Sequence, residues 1–172
     1  MICYLTLLII NKKGDLEYKK LKDFDGNENI SISINNQIWG NKEIISEEKA
    51  YLIGLLIADG YLNKSNTTSF SNSDKTIINT YYNLMKKEFG IKNIHEYKKE
   101  NTKTKDHRIY NTKFRNKLKK LGLEEVVAKD KTIPKLILQS KKEIVRSFLQ
   151  GYLDVESYMG EKNIEIVTAS KK

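Results

Sequence analysis

Apolar residues fall along this chain in two rhythms. Over residues 1–45 the rhythm is that of strands. Ile2–Ile10 is mostly apolar, Leu16–Leu21 is a second run, and Ile30-Ser31-Ile32-Ser33-Ile34 alternates with period two. Lys13-Gly14-Asp15 and Asp25-Gly26-Asn27 have turn chemistry. From Ser46 the rhythm becomes helical. Ser46 is suited to cap a helix that begins with Glu47 and Glu48, carries Tyr51, Leu52, Leu55 and Leu56, and stops at Gly60. Short polar text over 61–71 predicts a hairpin. Ser73 or Asp74 then caps a helix with Ile77, Ile78, Tyr81, Leu84, Met85 and Phe89 as its apolar positions and Gly90 at its end. A second hairpin spans 94–110, and Thr112 is expected to cap a basic helix closed by Gly122. Ile133-Pro134 ends a linker. Ser140 and Glu143 have the spacing of a capping box for a further helix from Lys141 to Val155. The text after it has room for one hairpin.

One stretch occurs twice. Leu52-Ile53-Gly54-Leu55-Leu56-Ile57-Ala58-Asp59-Gly60 is matched by Leu149-Gln150-Gly151-Tyr152-Leu153-Asp154-Val155-Glu156-Ser157. Both carry Leu-x-Gly and both bring an acid to the helix end. A stretch used twice in one chain predicts a pseudo-symmetric pair of elements. Gly54 and Ala58 share a helical face, and with Gly151 they would let two helix backbones approach closely. The helix ends would then lie side by side, each delivering a carboxylate, Asp59 and Glu156, beside the partial negative charge of a helix C-terminus. Such a spot is costly unless divalent cations fill it. Mg²⁺ suits it, since that ion takes a few carboxylate oxygens with water and phosphate oxygens.

Charge adds a partner. The formal net charge is +9 over 172 residues, and residues 92–120 alone hold eleven basic side chains against Glu96, Glu100 and Asp106. So local an excess points to a polyanion. Lys98, Lys99, Lys103, Lys105 and Arg108 are the candidate nucleic-acid contacts, with Tyr97 and Tyr110 among them. The single Cys3 excludes an intramolecular disulfide and fits a reducing cytoplasm. The apolar run at the start is too short to cross a bilayer, which needs about 20 residues. His95 and His107 lack metal-ligand spacing and read as ordinary hairpin residues.

The paired nonapeptides resemble the signature of the LAGLIDADG (dodecapeptide, DOD-type) homing endonucleases, a class also found within inteins. The resemblance covers roughly residues 46–170 and implies an α+β fold: an αββαββα unit over 46–125, a linker over 126–139 and a truncated second unit over 140–172, with the β-rich residues 1–45 as an N-terminal extension outside it. It implies a metal-dependent DNA endonuclease, with Asp59 and Glu156 as catalytic and metal-binding residues, Mg²⁺ as cofactor and double-stranded DNA as partner. Its sheets would form a saddle on the duplex, and a basic residue near the metals is also implied; Lys98 is the candidate. Asp154 matches the family's first, structural acid, where the first motif has Ile57. Ser157 replaces the usual final glycine, and the expected result is a shifted chain direction after Glu156.

Only residues 157–172 follow Glu156. The expectation is a truncated second unit with an unpaired sheet edge, weak or absent cleavage, and self-association to cover the exposed face. An alternative on the same scaffold is a non-catalytic DNA or RNA binder, such as a regulator or an intron maturase. A third is an interaction protein in which the motifs only pack helices.

Overall fold

A computed structural model of the protein describes residues 6–10, 16–20, 23–25, 29–30, 39–63, 66–98, 102, 104–159 and 164–166. They fall into two compact units, 1–38 and 39–172. In the first, β1 (Thr6–Ile10) pairs antiparallel with both β2 (Leu16–Lys20) and β3 (Asn29–Ile30). The alternating residues after Ile30 lie outside the described ones.

The second unit begins at a capped helix. The Ser46 hydroxyl accepts from the Lys49 N–H at 3.1 Å and starts α1 (Glu47–Asp59). This helix buries Ala50, Leu52, Ile53, Leu55 and Leu56, so it is apolar nearly all round and runs through the core. The strand β4 (Gly60–Leu62) follows without a loop, then β5 (Thr67–Asn72). Asp74 caps α2 (Lys75–Phe89), accepting from the Thr76 and Ile77 N–H groups, and Gly90 closes it with φ of 69°. The strands β6 (His95–Lys98) and β7 (Lys105–Tyr110) complete an antiparallel sheet of order β4-β5-β7-β6. Its helix-facing side carries Leu62, Phe70 and Ile109, and Phe70 stacks on Tyr81 of α2 at 4.6 Å.

Three local expectations change. The cap of α3 (Thr112–Lys120) is Asn111, whose Oδ1 accepts from the Phe114 N–H at 2.9 Å; Thr112 lies inside the first turn. Asparagine is the stronger cap. The linker is structured by a 3₁₀ turn over 128–130 and by α4 (Lys135–Leu138), both too short to show a period. The capping box at Ser140 does not form. The Ser140 hydroxyl instead donates to the Leu136 carbonyl at 2.7 Å, while residues 139–141 bridge to Lys42 through two backbone hydrogen bonds. The helix α5 (Lys142–Glu156) starts after that bridge, and β8 (Ser157–Met159) pairs with β9 (Ile164–Ile166).

His107 is a core residue. It is wholly buried, its Nδ1 lies 2.8 Å from the Tyr82 hydroxyl, and its Nε2 has no hydrogen-bond partner among the described residues. Burial holds its imidazole below the usual pKa, against the pull of Glu96 and Asp106. The unfolded chain then takes up a proton that the folded one resists. Stability is complete above the ordinary value of about 6.5 and falls as pH drops through it toward the folded pKa. Melting curves from pH 8 to 5 are expected to show this decline in the wild type and a shallower one in His107→Gln; parallel curves would refute it.

Candidate active site

The two motif helices meet at glycine. A Cβ on Gly54 would lie 2.2 Å from the Phe148 carbonyl oxygen, and one on Gly151 would lie 2.1 Å from the Tyr51 carbonyl oxygen. Each glycine thus rests on the carbonyl three residues before the other. That reciprocity is a local two-fold relation between α1 and α5. Any side chain at either position would separate the backbones. Ala58, one turn beyond Gly54, is buried as well. Across the seam the Tyr51 hydroxyl donates to Asp154 Oδ2 at 2.7 Å, and burial with this carboxylate raises the tyrosine pKa. Asp154 thereby ties the two helices together.

Five residues past each glycine stands an acid. Asp59 ends α1 and Glu156 ends α5, so the symmetric contact delivers both to the same end of the seam. They feel one another: burial raises the Glu156 pKa, the Asp59 charge raises it further, and Lys131 lowers it. Ser157 does not redirect the chain. Its φ and ψ of −104° and 145° resemble those of Gly60 at −84° and 155°, both extended, so no positive φ is required of either. The serine hydroxyl adds a hydrogen bond to the Leu153 carbonyl at 2.6 Å.

The basic group beside these acids is Lys131, from the linker. Its Nζ donates to the carbonyls of Ile57, Ala58 and Gly60 at 2.8, 3.1 and 2.7 Å. Burial lowers its pKa while Asp59 and Glu156 pull it back up. Lys98 sits in β6, at the opposite edge of the sheet from β4, which follows Asp59. Nothing in the sequence near Lys131 announces its place, because its partners are far away along the chain.

The candidate DNA contacts separate. Lys98 pairs across the strands with Lys105, in the alternation that carries Phe70 and His107 toward the helices, and Lys105 binds Glu96 at 2.7 Å. Arg108 points to the opposite, outer face. There it binds Asp106 at 2.9 Å and lies 4.6 Å from the Tyr97 ring centre, with the Tyr110 hydroxyl donating to that of Tyr97 at 3.2 Å. Tyr61, two residues past Asp59, shares this outer face and is exposed. Lys99 and Lys103 lie outside the described residues.

A groove of about 1000 Å³ opens at the other end of the seam, among Glu43, Glu47, Tyr51, Glu143 and Ser147. Asp59 is exposed. Asp59, exposed, and Glu156, half-buried, at the rim of a sheet suit a ligand laid across the surface. Among the described residues no three His, Cys, Asp or Glu cluster. A metal at the acids would therefore take two carboxylates and fill its other positions with water or phosphate oxygens, as Mg²⁺ commonly does. The donor set fits such an ion.

Comparisons with known proteins agree with this fold. Among curated proteins the chain is 29% identical over 170 residues to the replication factor C small subunit of Methanocaldococcus jannaschii, covering 98% of this chain and 9% of that protein. It is 31% identical over 169 residues to an A-type ATP synthase subunit from Pyrococcus abyssi, covering 94% of this chain and 16% of that protein. The chain thus spans a small share of either relative. Among solved structures, mesophilic variants of the homing endonuclease I-DmoI align with a TM-score of 0.51 at 19% identity, over 72% of this chain and 65% of theirs. I-DmoI in complex with DNA and Mn aligns with a TM-score of 0.50 at 20% identity, over 70% of this chain and 67% of its own. The model of the LAGLIDADG-like domain matches residues 46–137, more than half of the sequence, and the chain belongs to that family.

Proposed function

We propose that the chain is a homing-endonuclease-type module that lays double-stranded DNA across the outer face of its sheets and hydrolyses phosphodiester bonds at Asp59 and Glu156. The observation that carries this reading is the reciprocal glycine contact, which delivers two electrostatically coupled acids to one exposed end of a helix pair. Asp59 and Glu156 would hold a divalent metal, Mg²⁺ in this proposal, and that ion would supply activation of water and stabilisation of the leaving oxygen. The chain's own part is to hold the two carboxylates at a fixed spacing, to place Lys131 behind them, and to present Arg108 and Tyr61 to the duplex.

The curated relatives are named for unrelated tasks, replication and ATP synthesis, and each contains this sequence in a small fraction of its length. That distribution supports an inserted module of the intein type, with residues 1–38 travelling as part of it. One observation favours a non-catalytic nucleic-acid binder instead. Among the described residues the sheet that follows α5 has two strands against four in the sheet that follows α1, so the surface proposed for DNA is smaller on that side. A second copy that covers this side would reconcile the two readings.

The test is selection from a randomised duplex library, followed by incubation of the bound pool with Mg²⁺. The expected result is an enriched sequence, affinity that falls steeply with salt, and metal-dependent strand cleavage that is slow for the single chain. Binding without any cleavage would leave the non-catalytic reading in place. Failure to bind duplex at low salt would remove both.

A further inference from the structure

Asp106 is a carboxylate on the face proposed for DNA. A negative charge there repels phosphates, yet this one is buried and built in. The Ser71 hydroxyl donates to its Oδ1, and the Arg108 guanidinium donates to its Oδ2 at 2.9 Å. Asp106 and Arg108 are two residues apart on β7, so they share the outer face. On β6 the Tyr97 ring, across the strands from Asp106, has its centre 4.6 Å from the guanidinium carbon. On β5 the neighbours of Asp106 and Arg108 are Ser71 and Ser69, both small. The surface is low on that side, and the Arg108 side chain stays 39% exposed.

Pairing with Asp106 reduces the charge that Arg108 can offer a phosphate and gives the guanidinium a fixed plane instead. A phosphate contact needs charge, whereas a contact to a base edge needs geometry. Resting on the duplex-binding reading above, we propose that Arg108 reads one guanine in the target, and that Asp106 and Tyr97 are positioning residues that hold its guanidinium for that contact. A guanidinium carries several N–H donors and no acceptor, so the bond to Asp106 leaves donors for a further partner. Guanine presents acceptors at both N7 and O6 in the major groove. Adenine presents N7 beside an amino group, which a donor-only fork cannot match. A two-stranded ribbon such as β6–β7 fits that groove. A side chain already held also loses less freedom when DNA arrives, so the brace favours binding to the right base.

The test uses the full chain without divalent metal, so that no strand is cut. Wild type and variants each select from a randomised duplex library. Affinity is then read by fluorescence anisotropy on the enriched duplex, on the same duplex with the guanine replaced by 7-deazaguanine, and on duplex of mixed sequence. The wild type is expected to enrich a guanine and to lose about tenfold in affinity when its N7 is removed. Arg108→Lys, which keeps the charge and loses the fork, is expected to enrich no base at that position and to be indifferent to 7-deazaguanine. Asp106→Asn is expected to bind mixed-sequence duplex more tightly, because a negative charge has left the face, and yet to discriminate guanine about tenfold less. A merely structural group would not move those two readings in opposite directions. Tyr97→Leu, at an exposed ring, is expected to weaken discrimination, and it carries the brace should Asp106→Asn not fold. An enriched target in which every guanine preference survives Arg108→Lys overturns the reader while duplex binding stands. Undiminished discrimination in Asp106→Asn, or in Tyr97→Leu, removes that residue from the brace. A wild type that binds no duplex at low salt removes the duplex reading and this inference with it.

Discussion

Gly54→Ala is expected to destabilise the second unit by about 3 kcal/mol, at the upper end of ordinary overpacking. Alanine is the better helix former by about 1 kcal/mol, which acts in the opposite direction. The clash prevails because the new methyl would sit 2.2 Å from a backbone oxygen and 2.8 Å from a backbone nitrogen, neither of which can rotate away. Relief requires the whole of α5 to slide or lift. Gly151→Ala should behave alike, since its Cβ meets the Tyr51 carbonyl at 2.1 Å. Urea denaturation of both variants measures this. A midpoint equal to or above that of the wild type would show that the seam is looser than the glycine contacts imply.

Asp59→Asn and Glu156→Gln are expected to reduce metal-dependent cleavage by at least about 100-fold, because even the loss of an outer partner of a metal ligand costs 10- to 100-fold. Both replacements keep the shape of the side chain. Asp59 is exposed, so its amide meets no new neighbours that would unfold the helix tip. Duplex binding and melting temperature should therefore stay near those of the wild type while cleavage disappears. Cleavage that persists in both variants would place the chemistry elsewhere.

Much of this architecture was legible because it is local. Ser46, Asp74 and Gly90 mark helix ends through contacts within three or four residues. The repeat around Gly54 and Gly151 was visible because glycine inside an apolar helix has a packing reason or none. Lys131 was not legible. Its value arises when the linker folds back onto residues 57–60, and no spacing in the sequence encodes that return. Ser140 misled for a similar reason. Its neighbours are claimed by a bridge to Lys42, so the local capping geometry has no backbone to act on. The division of the basic hairpin was in reach of alternation alone: Lys105 and Arg108 are an odd number of residues apart on one strand, so they must face opposite sides.

The junctions Asp59-Gly60 and Glu156-Ser157 contain no connecting loop. Each strand therefore continues directly from its helix, so the splay between the two ribbons follows from the crossing of α1 and α5. A half-module exchanged for one from a relative with the same glycine seam would keep that splay unchanged. On the DNA-binding reading proposed above, the separation between the left and right halves of a target would then be a property of the seam, while the letters within each half would vary freely with the strands.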